Sequence, residues 1–257
     1  MSAHTSNQAL IDYTLHLADS SLIMAQRSSE WCGHGPVLEQ DIAITNISLD
    51  LLGQARHFYQ YAAGLINQSA DHTLKPATED SLAYLRDERA FKNLLLTELP
   101  KGDWAQTILK HFFFSVYQSL LYTRLQTVPD KDLAAIAAKS LKEVAYHVKW
   151  SSEWVIRLGD GTAESHQRML TAIEELWPYT GEMFRAADYE TGMVDPSTLH
   201  AGWLKEVLDV FAEATLPMSS ESVYMHVGGK TGLHTENLGY MLAELQYLQR
   251  AYPGAEW

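Results

Sequence analysis

Through most of this chain an apolar side chain returns every third or fourth residue, the repeat of a helix with one buried face. Ile44, Ile47, Leu51, Ala55, Phe58, Ala62 and Leu65 keep that spacing, and so do Leu133, Ala137, Leu141, Val144, Val148, Val155 and Leu158. The pattern predicts helices over about 8–28, 37–67, 81–97, 103–127, 131–159, 164–186, 197–215 and 233–251. Pro36, Pro76, Pro100, Pro129, Pro196 and Pro217 fall at the breaks, while Pro178 kinks or ends a helix. Asp130 and Asp195 are expected N-caps, Asp195 with Pro196 at the first helical position. Gly159, in "RLGDGT", is expected to end a helix. No run alternates β-branched and polar residues, so no sheet is expected.

Two helices of nearly thirty residues would each reach about 45 Å. Long helices joined as hairpins imply an all-α fold, a four-helix bundle core with additional C-terminal helices. No Gly-, Ser- or Pro-rich linker and no solenoid repeat interrupts residues 1–257, so a single domain is expected.

Composition narrows the function. A formal charge of −13 opposes binding of a phosphate backbone and excludes nucleic acid as an expected partner. No window has the length of apolar sequence that crosses a bilayer, and "MSAHTSNQA" has no basic, apolar leader, so the expected compartment is the cytoplasm. Cys32 is the only cysteine, which rules out an internal disulfide and a cysteine-built metal cluster.

A bundle of this kind suggests a search for metal ligands. Carboxylate-bridged di-iron centres use Glu-x-x-His, because an i, i+3 pair lies on one helical face and reaches one metal. Among the positions three residues before the eleven histidines none is acidic; they include Gln54, Val144, Ala163 and Ser197. "KEVAYH" sets Glu143 and His147 four apart, but His147 reads better as a buried histidine bonded to a neighbour. "EWCGHG" gathers Glu30, Cys32 and His34 before Pro36 and reads as a turn. Four buried carboxylates are tolerable only beside a metal, so a bundle that lost its metal would gain stability by replacing them with Leu, Val or Gln. The expected metal-site residues and catalytic residues are therefore none.

Other motifs read as structure. "VGGKTG" at 227–232 has Tyr224 where a phosphate loop needs glycine, and is expected to be a turn from which Lys230 could reach a partner or an anion. "HFFFSVY" at 111–117 is expected core, and "YLRDER" at 84–89 a solvated face or salt-bridged turn.

Five stretches together resemble one family: "EWCGHGPVLEQDIAITNISLDLLGQAR", "RDERAFKNLLLTE", "AAKSLKEVAYH", "RLGDGT" and "GGKTGLHTENLGYMLAELQYLQR". They are similar to the C subunits of the multicomponent ring 1,2-phenylacetyl-CoA epoxidase, over nearly the whole chain from about residue 12. The resemblance implies a ferritin-like fold and a non-catalytic structural role beside a catalytic A subunit that carries the di-iron centre. It also implies further subunits, including a flavin and iron–sulfur reductase, and an NADPH- and O2-dependent ring epoxidation in aerobic phenylacetate catabolism. No cofactor is expected in this chain. Against the A-subunit pattern, Leu51 and Val144 stand at the Glu positions of two Glu-x-x-His pairs, Gln54 stands at a His position, and His147 survives. Two other readings remain: an active ferritin-like metal oxygenase with an atypical site at Glu143 and His147, and a small-molecule binding module that contacts the coenzyme A portion of the substrate. A homodimer of the isolated chain is a further expectation.

Overall fold

Side-chain caps at Asp103, Asp130, Thr162 and Thr235 start several of the helices near where the pattern placed them. The computed structural model describes residues 3–69, 75–217 and 224–255. Two long helices come first, α1 (Ala3–Ser29) and α2 (Leu38–Ser69). Short α3 (Glu79–Tyr84) and α4 (Leu95–Glu98) follow. Then come α5 (Trp104–Leu125) and α6 (Lys131–Gly159). The outer helices are α7 (Ala163–Leu176), α8 (His200–Glu213), α9 (Glu236–Leu245) and α10 (Tyr247–Ala251). No strand occurs among the described residues, so the all-α expectation is met. Nor is any described helix long and apolar enough to cross a membrane.

Asp130 caps α6 by accepting from the Leu133 amide, and Asp195 caps the 3₁₀ turn Pro196–Leu199 by accepting from the Ser197 amide. The sequence did not announce the capping boxes of α5, Asp103 with Gln106, and of α7, Thr162 with Ser165.

The most extensive packing joins α1 to α2 and α5 to α6, two hairpins that make the ferritin-like four-helix core. Contacts between α2 and α6 fix the register: Tyr61 meets Asp130, His57 meets Lys139, Gln54 meets Glu143, Asp50 meets His147 and Gln40 meets Trp150. Numbers rise along one helix as they fall along the other, so the two run antiparallel. The buried stripe of α2 is the one the spacing predicted, Ile44, Ile47, Leu51, Ala55, Phe58, Ala62 and Leu65. Phe112, Phe113, Phe114, Val116 and Tyr117 are all core, as read.

Several boundaries differ. The helix expected over 81–97 is three pieces: α3, a 3₁₀ turn at Glu88–Ala90, and α4. The chain between them runs extended, and remote side chains satisfy its amides. Asp19 accepts from the Lys92 amide at 2.8 Å, the Ser20 hydroxyl from Leu94 at 3.2 Å, and Glu182 from Leu95 at 2.8 Å. The helix expected over 164–186 stops at Leu176, and Pro178 sits in the 3₁₀ turn Trp177–Tyr179. The helix expected over 197–215 begins as a 3₁₀ turn, and that over 233–251 breaks at Gln246.

Gly159 does close α6, for a different reason from the one expected. It is not left-handed; a Cβ there would lie 2.4 Å from the Ala214 carbonyl oxygen, so glycine lets the end of α8 approach. "VGGKTG" is a turn, as read. Within it Gly232 has φ +80°, and a Cβ would meet the Arg89 carbonyl oxygen at 2.3 Å.

Candidate functional site

The antiparallel α2–α6 register brings the four positions of interest to one level of the bundle. Leu51, Gln54, Val144 and His147 are all buried. Leu51 and Val144 offer no donor atom. Gln54 donates from Nε2 to Glu143 Oε2 at 3.0 Å, and His147 donates from Nε2 to Asp50 Oδ2 at 3.1 Å. Thus Glu143 and His147, the near-miss pair, each face a protein partner on α2.

Deeper in, α5 completes a largely neutral network. Gln54 Oε1 lies 3.5 Å from both Gln118 Nε2 and the Tyr122 hydroxyl, and Gln118 donates to Tyr122 at 3.0 Å. Burial raises the Tyr122 phenol to about 12, so it stays protonated and able to donate. His111 sits about two helical turns before Gln118 on α5, against Ser28 of α1. The Ser28 hydroxyl gives its proton to the Met24 carbonyl at 2.7 Å, so His111 Nε2–H donates to Ser28 Oγ at 2.8 Å. Burial lowers the His111 pKa to about 3, with the charges of His147 and Lys110 acting in the same sense, and the ring is neutral.

Asp50, His111, Gln118 and Tyr122 escaped the sequence reading. Gln118 and Tyr122 are four apart on a helix, which is a signal that they share a face, but nothing local says that the face meets Gln54.

A di-iron bundle site needs four carboxylates and two imidazoles turned inward. Leu51, Gln54, Val144, Gln118 and Tyr122 do not fit such a pair of ions. Among the described residues no three His, Cys, Asp or Glu side chains gather where they could hold a metal. His72 and the side chain of His4 lie outside the described residues. The hollow beside Gln118 and Tyr122, lined also by His16, Ser20 and Tyr117, measures only about 10 Å³. That is the room of roughly one water, far below what an acyl thioester requires.

The remaining motifs take structural places. In the first, Glu30 pairs with Arg27 at 2.7 Å, Cys32 is exposed, and His34 donates to the Cys32 carbonyl at 3.0 Å. Lys230 does not reach outward, as the turn had suggested. It is buried and donates to both oxygens of buried Glu190, at 2.9 and 3.1 Å, and to the Arg185 carbonyl at 2.8 Å. "YLRDER" is a salt-bridged turn and not a solvated face at Arg86. That guanidinium grips fully buried Asp19, which also accepts from the Tyr59 hydroxyl at 2.6 Å, and it stacks over the Phe91 ring at 4.3 Å.

Residues 1–257 match the family described as phenylacetic acid catabolic protein. Over 254 residues the chain is 49% identical to the C subunit of 1,2-phenylacetyl-CoA epoxidase from Escherichia coli (strain K12), covering 96% of this chain and 99% of that relative. With the match running from end to end, the chain belongs to the phenylacetic acid catabolic protein family.

Proposed function

We propose that this chain is a structural subunit of a phenylacetyl-CoA epoxidase complex, a helical scaffold that binds and stabilises a di-iron A subunit and carries no oxygen chemistry of its own. It works in the cytoplasm as part of aerobic phenylacetate catabolism, with the metal and the reducing equivalents held by its partners. The 49% identity to an epoxidase C subunit supports the first half of this reading. One observation carries the second half: buried Leu51 and Val144 occupy the level of α2 and α6 where a metal pair would need carboxylates. The atypical-oxygenase alternative would have to free Glu143 from Gln54 and His147 from Asp50, and would still be short of ligands.

Metal analysis joined to co-purification tests the reading. The chain expressed alone in iron-replete medium will contain far less than one equivalent of iron and will not epoxidise phenylacetyl-CoA with any reductase. Co-expressed with the A subunit it will elute as a stable complex, burying at least the roughly 1,600 Å² of a standard interface. Stoichiometric iron in the isolated chain, or independent elution of the two chains at micromolar concentration, overturns it.

A further inference from the structure

The stripe from Ile44 to Leu65 is the main apolar face that α2 turns into the core. On the opposite side Leu38, Ile42, Leu49 and Leu52 are 72%, 52%, 60% and 44% exposed. Their spacings of four, seven and three residues place all four on one face, a ridge about 21 Å long. Single exposed leucines are common on a protein surface; an aligned apolar ridge on a bundle's longest helix is a different matter.

The ridge borders a groove. Two adjoining hollows of about 270 and 220 Å³ share Leu22, Leu52 and Tyr84 as walls. Ala25, Leu49 and Leu245 extend the apolar lining at one end, and Arg56, Glu79 and Asp80 close the other. The surface therefore has the two elements of helix-on-helix packing, a row of side chains and a channel beside it.

Charge says what kind of helix fits. Arg56 is already paired with Glu79 at 3.5 Å, and Glu79 also accepts from Gln60 at 3.0 Å. Asp80 at the groove's end and Glu39 beside Leu38 make no ion pair among the described residues. The rim is acidic, on a chain of formal charge −13. A second copy would bring the same acidic rim against this one, whereas a basic rim would be attracted and steered to it.

We infer that the ridge Leu38–Ile42–Leu49–Leu52 and its groove form the docking surface for one amphipathic helix of the A subunit, apolar along its centre and flanked by Lys or Arg. This rests on the subunit reading above and adds where the partner sits and what it presents. A helix lying there covers Cys32, which lines the groove and is otherwise exposed.

The test uses the full chain co-expressed with the A subunit. The double substitution Leu49→Asp with Leu52→Asp alters exposed positions only, so circular dichroism and the thermal midpoint of the isolated chain will match wild type. Leu208→Asp on α8, 37% exposed, is the control. The double variant will bind the A subunit at least about tenfold more weakly, the control within experimental error. Asp80→Lys will slow association at low salt and flatten its salt dependence. In the wild-type complex, Cys32 will react with a maleimide several-fold more slowly than in the isolated chain. Binding by the double variant that equals wild type, or unchanged Cys32 reactivity in the complex, overturns the surface while leaving the subunit reading intact. A homodimer of the isolated chain that dissociates on the double substitution assigns the ridge to a second copy and also overturns it. Failure of the wild-type chain to bind the A subunit at all overturns both.

Discussion

Leu51 and Gln54 show how little at residue scale separates a metal ligand set from an ordinary core. Restoring the motif on α2 alone, with Leu51→Glu and Gln54→His, will not create an iron site, because Val144 still supplies no carboxylate. The new glutamate would be buried without a cation, and Gln54's bond to Glu143 would be lost. The double variant should bind no more iron than wild type by elemental analysis, and should lose about 3 kcal/mol or more of stability in urea titration. These positions were legible in the sequence because the absence of a motif can be searched for completely. Their partners Asp50, Gln118 and Tyr122 were not, since each reaches Gln54 or His147 across a helix interface that only the fold creates. Lys230 was misread for the same reason: its environment, Glu190 and the Arg185 carbonyl, lies some forty positions earlier in the chain.

Among the elements, the clearest lesson is the stretch from Glu88 to Glu98. The long helices were readable because a 3.6-residue rhythm was sustained over twenty or thirty positions. In this stretch the apolar residues Phe91, Leu94, Leu95 and Leu96 are close enough to suggest one helix, yet Phe91 and Leu94 are buried on irregular backbone and Leu95 and Leu96 on the single turn of α4. The segment is held instead by the turn and helix near the C-terminus. Fully buried Glu98 accepts from Asn93, from the Thr235 amide at 2.5 Å and from His234 Nδ1 at 2.8 Å, while Glu182 accepts from the amides of Leu95 and Gly228. The other ring nitrogen of His234 meets the Phe91 carbonyl at 3.0 Å. Both partners of the ring are acceptors, so both nitrogens donate and the ring is an imidazolium. Burial opposes that charge, but the hydrogen bond and charge of Glu98 outweigh it, and the His234 pKa stands above its ordinary value.

A pKa raised by folding gives stability that is fully present below the unfolded value of about 6.5 and is lost as pH rises through the folded one. The difference in urea midpoint between wild type and His234→Gln should therefore be largest near pH 6 and shrink as the solution becomes alkaline. An NMR titration of the ring's Hε1 signal gives the midpoint directly; a value at or below 6.5 would refute the imidazolium assignment.

At the scale of the whole molecule, the four-helix core and the outer C-terminal segment depend on each other. Arg27 on α1 donates to the Glu98 carbonyl at 2.9 and 3.1 Å, Gln246 donates to the carbonyls of Ala83 and Arg86, and Lys230 neutralises Glu190. Removing residues 224–257 would take His234 and the Thr235 amide from Glu98, the Gly228 amide from Glu182 and Lys230 from Glu190, and a buried carboxylate that loses its cation costs several kcal/mol. Such a truncation should not leave an independently stable four-helix bundle. It should melt at much lower temperature than the full chain, or fail to fold, and limited proteolysis should cut first between Glu88 and Glu98.

The Glu98–His234 contact spans 136 positions. A ribosome adding roughly 5–20 residues each second needs on the order of ten seconds to get from one to the other. During that interval the nascent chain has α1 and α2 in hand, and Asp19 and Ser20 can hold the Lys92 and Leu94 amides of the stretch from Glu88 to Glu98, but Glu98 still lacks His234 and the Thr235 amide. Ribosome-arrested chains ending before Gly228 should be nicked by protease in this stretch and captured by chaperones, while chains released after Ala251 should resist both. The hydrogen bonding of buried Glu98 is thus completed only from the last-made end of the chain.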